Sequence, residues 1–184
     1  MSAVDQAVET APAQGARVSF GDPLYAEVMD FLDEEATLLD RNRYLAWTEL
    51  LAEDVSYTIP GRKTLHMKDG PGIDENSGIA ARLQALKALA ERNETEVIYD
   101  RDPPPRMRRF ITNVKVFHTE TEDEYGVDSY LLFLRTVQDE PTYDLISAER
   151  KDVLRRTPEG MRLVRRRLLF DLAVLTKALP NVIL

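Results

Sequence analysis

Tyr143–Asp171, YDLISAERKDVLRRTPEGMRLVRRRLLFD, reads as two β-strands joined by a turn at Thr157-Pro158-Glu159-Gly160. Proline pre-sets φ at the second position of a turn, and glycine tolerates the left-handed conformation that often closes one. The stretch is therefore a long hairpin. Its second arm does not alternate cleanly. Strict alternation puts Arg162, Val164, Arg166, Leu168 and Phe170 on one side and Met161, Leu163, Arg165, Arg167 and Leu169 on the other, each side part apolar and part cationic. An antiparallel strand with one solvated face should separate the two kinds of residue. The pattern predicts a sheet covered by helices on one face and by another protein on the other.

Outward from the hairpin, the preceding segments supply that sheet. Tyr125–Val137 is apolar on both faces at its centre, with Leu131 and Phe133 opposite Leu132 and Leu134, as in a central strand. The acidic connection Thr119–Glu124 joins it to a strand in which Phe110, Thr112, Val114 and Val116 face one way. Before that, Asp102-Pro103-Pro104-Pro105 reads as a stiff extended connector. Ser77 is placed as the cap of a helix with Ile79, Leu83, Leu86, Leu89 and Ala90 inward, and Arg62–Asn76, polar with two glycines, as a loop. Val55, Tyr57 and Ile59 alternate with Ser56 and Thr58 in a first strand that Pro60-Gly61 stops. A helix from Asp40 or Asn42 carries Tyr44, Leu45, Trp47, Thr48 and Leu51 up to Glu53-Asp54.

The clearest helix starts at Asp22-Pro23, a cap followed by proline at the first helical position. Leu24, Val28, Phe31, Leu32, Glu35, Leu38 and Leu39 follow at helical spacing. Glu35 falls inside that apolar stripe, where an unpaired carboxylate is costly, so it requires a bonded neighbour or a place at the stripe's edge. Residues 1–20 read as a mobile tail and 21–184 as one α+β domain: N-terminal helices packed on a strongly curved, mainly antiparallel, cone-shaped sheet. Ala173–Leu184 is largely apolar, and Val182, Ile183 and Leu184 are expected to dock as an extended segment on the helices or on a neighbouring subunit.

Composition narrows the function. The net charge of −8 lacks the basic footprint of a nucleic-acid binder. It divides as −10 over residues 1–100 and +2 over 101–184, which suggests complementary surfaces in an oligomer as well as solvated faces with local ion pairs. Cysteine is absent, so the chain offers no disulfide and no thiolate for a metal, a cluster or nucleophilic catalysis. No apolar run reaches the roughly 20 residues of a membrane span, and the N-terminus has no signal-peptide pattern, so the expected location is the cytoplasm.

Two histidines exist, His66 and His118. With Asp69 or Asp100 they supply, on paper, the two-histidine-one-carboxylate set of mononuclear iron, without any local spacing that supports it. There is neither a nucleophile elbow nor a glycine-rich phosphate loop. Tyr57, His118 and Asp54 are candidates for proton transfer in the mouth of a cone-shaped sheet. The same three read as a core tyrosine, a strand-end histidine and a helix-end aspartate, and fold analogy alone is no evidence for a site. The basic cluster Arg150, Lys151, Arg155, Arg156, Arg162, Arg165, Arg166 and Arg167 reads as cross-strand ion pairs and subunit contacts. No residue is assigned a catalytic, cofactor-binding or metal-binding role.

Three segments carry a resemblance: EEATLLDRNRYLAWTELLAEDVSYTIP (34–60), DPPPRMRRFITNV (102–114) and AERKDVLRRTPEGMRLVRRRLLFDLAVLTKALPNVIL (148–184). In this order the chain resembles, from about Leu24 to Leu184, the small β subunit of Rieske-type aromatic-ring-hydroxylating dioxygenases. It departs from that family in a short, glycine-rich loop after Pro60 and in Tyr99, where many members have tryptophan. The resemblance implies a nuclear-transport-factor-2-like or cystatin-like fold and an α3β3 hexamer. It also implies a mostly structural β subunit, a Rieske [2Fe-2S] cluster and non-haem Fe(II) on the α subunit, and NADH electrons delivered by separate proteins. The competing readings are a stand-alone isomerase or dehydratase of the cone fold and a small-molecule binding module.

Overall fold

The structure, a computed structural model, describes residues 15–100, 104–137, 141–173 and 183–184, with the side chains of Met67 and residues 95–100 excepted. In chain order the elements are α1 (Pro23–Asp40), α2 (Tyr44–Thr48), β1 (Leu51–Arg62), a 3-10 turn (Met67–Asp69), β2 (Ile73–Arg82), α3 (Leu83–Asp100), β3 (Arg106–His118), β4 (Glu124–Thr136), β5 (Tyr143–Thr157) and β6 (Gly160–Phe170). The described strands form one sheet in the order β2-β1-β6-β5-β4-β3, and only the β1–β6 pairing is parallel. This is the expected α+β architecture, with the helices on the inner face of the sheet.

α1 forms where its cap predicts. Asp22 Oδ1 accepts a hydrogen bond from Leu24 N at 2.9 Å, and the seven residues of the expected stripe, Glu35 included, are buried. α2 is shorter than its pattern. Thr48 Oγ1 turns back on Leu45 O, and Leu163 N on β6 donates to Leu50 O at 2.8 Å, so strand pairing takes the chain from Leu51 onward. β1 also continues through Pro60-Gly61, because its pairing with β6 ends at Thr58 and the proline's missing N–H falls where one side of the strand is unpaired.

The largest correction is β2. Residues placed in a loop and at the start of a helix instead pair antiparallel with β1, from Arg62↔Ile73 to Ser56↔Arg82. Ile79, expected inward, is 60% exposed, and α3 begins at Leu83. An edge strand that buries little has no hydrophobic alternation to announce it. Within α3, Leu86 and Ala90 are buried and Leu89 is partly so, as its spacing predicts.

Two register shifts correct the face assignments. Across β5–β6 the pairs run Val153↔Arg165 and then Leu154↔Leu163, leaving Val164 without a partner. This extra residue reverses the phase of the arm. Met161, Leu163, Arg166, Leu168 and Phe170 therefore share the inner face, and Val164 joins Ala52 and Val153 in a small outer cluster. β3 does the same at Asn113, which has a left-handed φ of 56° and lies between Thr112 and Lys115. Phe110 and Thr112 consequently face outward while Val116 is buried.

One cluster of buried apolar residues runs from Val18 to Leu184. Residues 1–14 of the expected tail lie outside the described residues, but Gly15–Val18 lie along β3: Gly15 N donates to His118 O, His118 N to Ala16 O and Val18 N to Val116 O. Asp102, Pro103 and Val182 also lie outside the described residues. Ile183 and Leu184 are buried in the main cluster of this same chain.

Candidate functional site

Among the described residues, four of the buried charges between α1 and the sheet form one bonded set. β5 and β6 place Asp152 opposite Arg166, and Arg150 stands two residues from Asp152 on the same face. Glu35 reaches them from α1. Arg166 forks onto Glu35 through Nη1 and Nη2, both at 2.8 Å, and onto Asp152 through Nε and Nη2, both at 2.9 Å. Arg150 donates from Nη2 to Glu35 and from Nε to Asp152, both at 2.7 Å. Each carboxylate thus meets two guanidinium groups, and the set is neutral overall. Trp47 Nε1 adds a hydrogen bond to Glu35 at 3.2 Å.

Burial by itself would raise the Glu35 carboxyl, but attraction to Arg166 and Arg150, with hydrogen bonds from Arg166 and Trp47, outweighs it and holds the group at about 2. Arg166 is likewise held above its ordinary value, since its two carboxylates overcome the burial that opposes its charge. Neither group is poised to exchange a proton near neutrality.

Beside this set stands Tyr57, with the Arg166 guanidinium 5.7 Å from its ring centre. Its hydroxyl donates to Leu184 O, and burial pushes its ionisation above the usual phenol value. Arg109 pairs through Nη1 with Asp40 at 2.6 Å, lies over the Phe133 ring at 5.0 Å and donates from Nη2 to Ile183 O.

The residues singled out by sequence are not brought together. Of the proton-transfer and metal-ligand candidates with described side chains, Tyr57 alone enters the interior. Asp54 is exposed and bonded to Arg155, which holds its carboxyl below the ordinary value. His118 is exposed at the end of β3, edge-on to Tyr125 at 5.9 Å. His66 and Asp69 are exposed in the segment between β1 and β2, and the Asp100 side chain lies outside the described residues. Among the described residues no group of three or more His, Asp or Glu is arranged to hold a metal ion. In the basic cluster, Arg155 bridges Asp54 and Glu124, Arg156 meets Glu27, Arg167 meets Glu75 and Lys151 lies 3.6 Å from Glu149. Arg162 bonds the backbone of Met161, and Arg165 is also engaged. What the sequence reading missed is that Arg150 and Arg166 are core residues; the signal was Glu35, whose place in an apolar stripe demanded a cation.

On the outer face an open cavity of about 670 Å³ is lined by Arg62, Tyr130, Leu132, Glu149, Leu169 and Asp171, among others. Some of its polar groups are engaged with the chain itself: Arg62 donates to Phe170 O at 2.9 Å, and Ser147 donates to Asp171 at 2.6 Å.

The family model described as the ring hydroxylating beta subunit matches residues 34–177. The chain belongs to that family. This beta subunit is 32% identical over 154 residues to the biphenyl 2,3-dioxygenase subunit beta of Rhodococcus jostii RHA1, covering 80% of this chain and 82% of that one. A solved naphthalene 1,2-dioxygenase with indole bound in its active site matches at TM-score 0.77 and 24% identity, over 90% of this chain and 89% of that one. An ntf2-like protein with a cystatin-like fold from Novosphingobium aromaticivorans matches at TM-score 0.55 and 19% identity, over 83% and 92% of the two chains, and so shares the fold. The protein is accordingly a subunit of an oxidoreductase complex, and its fold is the expected nuclear-transport-factor-2-like one.

The iron groups associated with such complexes do not fit this chain's donors. A Rieske centre takes two cysteines and two histidines, and the sequence has no cysteine. His66 and His118 lie on exposed, separate segments with no carboxylate grouped around them among the described residues.

Proposed function

We propose that this beta subunit is the non-catalytic, structural partner in the terminal oxygenase of an aromatic-ring dioxygenase, assembling and stabilising α subunits in a cytoplasmic α3β3 hexamer that serves degradation of aromatic compounds. The Rieske cluster and non-haem Fe(II) belong to the α subunit, and electrons come from NADH through separate proteins. The observation that carries this reading is the interior: where a cone-fold isomerase or dehydratase needs an open acid–base group, Glu35, Arg150, Asp152 and Arg166 saturate one another and Ile183 and Leu184 fill space. Asp54 and His118 lie outside it, which disfavours the stand-alone enzyme. The outer face supports a subunit contact. Phe110, Tyr130, Leu132, Tyr143 and Leu145 are exposed there on neighbouring registers, the kind of patch that marks an interaction surface.

The experiment is co-expression with the α subunit. The two chains are expected to co-purify, the beta subunit alone to contain no stoichiometric iron, and the complex carrying His66→Ala and His118→Ala to keep its turnover within about threefold of the parent. Iron at about one per isolated beta subunit, or a loss on the order of a thousandfold in an intact complex, overturns the reading.

A further inference from the structure

Ile183 and Leu184 do more than fill the interior. Three side-chain donors converge on their main-chain oxygens: Arg109 Nη2 on Ile183 O, and Tyr57 Oη with Arg166 Nη1 on Leu184 O, the last at 3.4 Å. All three donor side chains are at least nine-tenths buried. Arg109 is under-used there. Its Nη1 is taken by Asp40 and its Nη2 by the Ile183 carbonyl, while its Nε is buried with no hydrogen-bond partner among the described residues. Nε and Nη2 form one edge of the guanidinium plane, the edge that takes both oxygens of a carboxylate in parallel. A single carbonyl oxygen occupies it here, and the orphaned donor is left at a desolvation cost. Burial also outweighs Asp40 in setting the charge of Arg109, which is held below its ordinary value.

We propose that this part of the interior is a binding site for a small organic acid, which Ile183–Leu184 occupy as a displaceable stand-in. The acid's carboxylate takes the Nε–Nη2 edge of Arg109, and its apolar body takes the space of the two side chains. Tyr57 and Arg166 are left to donate to a further oxygen or to water. The ligand class follows from the lining. The bidentate edge selects a carboxylate over an alcohol, and the two buried aliphatic side chains set a body about the size of a phenyl ring with a short arm. The site performs no chemistry, and it goes beyond the assembly role without resting on it.

The test uses 3-phenylpropionate as probe and 3-phenylpropan-1-ol as its neutral counterpart. In the chain lacking Asn181–Leu184, calorimetry is expected to show saturable one-to-one binding of the acid, with the alcohol at least about tenfold weaker, and the acid is expected to restore part of the lost melting temperature. No saturable binding by a folded shortened chain, or equal binding of acid and alcohol, overturns the proposal. The intact chain provides a readout that does not depend on the truncation. There the acid, and not the alcohol, is expected to speed amide hydrogen exchange at Ile183 and Leu184 by about tenfold while leaving β4 unchanged. Unchanged exchange at those two amides in the presence of the acid overturns it as well.

Discussion

Two arginine–carboxylate clusters of this beta subunit have nearly the same geometry and different physical meaning. In the interior, Arg150 and Arg166 meet Glu35 and Asp152 at 2.7–2.9 Å, each side chain no more than 2% exposed. At the far end of the β5–β6 hairpin, Arg155 meets Asp54 and Glu124 at 2.8 and 2.7 Å, with 36%, 56% and 16% of the three side chains exposed. Distance does not distinguish them; solvent does. Water screens the outer pairs and solvates their members when they part, whereas an inner charge that loses its partner has nothing to replace it. The inner set therefore acts as a condition of folding and the outer set as a minor trim.

The comparison breaks most sharply at Arg166. Arg166→Leu leaves two buried carboxylates with Arg150 alone to neutralise them, and urea denaturation is expected to show a loss of about 3 to 5 kcal/mol or no folded chain. Arg166→Lys should not restore it, because an ammonium cannot fork onto both Glu35 and Asp152. A leucine variant within about 1 kcal/mol of the parent would show that the interior charges are not coupled.

Acid provides a smaller and graded test. Glu35 is held at about 2 in the folded chain against an ordinary value of 4.5, so its contribution is present in full above pH 4.5 and is lost as pH falls toward 2. The amount is on the order of 3 kcal/mol. A melting-temperature profile should fall across that window, and Glu35→Gln, less stable throughout, should fall less steeply. Parallel profiles would remove Glu35 from the account. The smallest effect belongs to Arg155→Ala, expected to cost less than about 1 kcal/mol and to cost less still in high salt. A loss as large as that of Arg166→Leu would erase the distinction between the two clusters.

Much of this was legible in the residues. Asp22-Pro23 and a regular stripe defined α1, and Glu35 within it announced a buried cation without naming which. Thr157-Pro158-Glu159-Gly160 defined the hairpin, and Gly160 has the left-handed φ of 110° that the turn requires. β2 was not legible, because an edge strand of Ser, Gly, Ala and acidic residues buries too little to impose a period. The bulges at Val164 and Asn113 were legible only as an anomaly: one extra residue inverts every later side chain, so a clean inner face looked like two mixed ones. Reading Arg150 and Arg166 as cross-strand ion pairs and subunit contacts anticipated the Arg166–Asp152 pair across the hairpin but not that both arginines lie in the core. Their partner on α1, Glu35, lies at sequence separations that no local pattern encodes.

The short segment Gly15–Val18 along β3 bears on proteostasis. An exposed edge strand is a template, since its unsatisfied amides and carbonyls invite a strand from any nearby chain, native or misfolded. β3 ends the sheet on one side, and the segment takes up the backbone groups of Val116 and His118. Over the other half of the strand, the exposed Arg106 and Arg108 stand as charged gatekeepers. Runaway cross-β growth from this edge is thereby blocked twice, by occupancy and by charge. Shortening the N-terminus past Val18 would remove the first safeguard, and its cost would appear as lower soluble yield and a tendency to form fibres rather than as altered turnover.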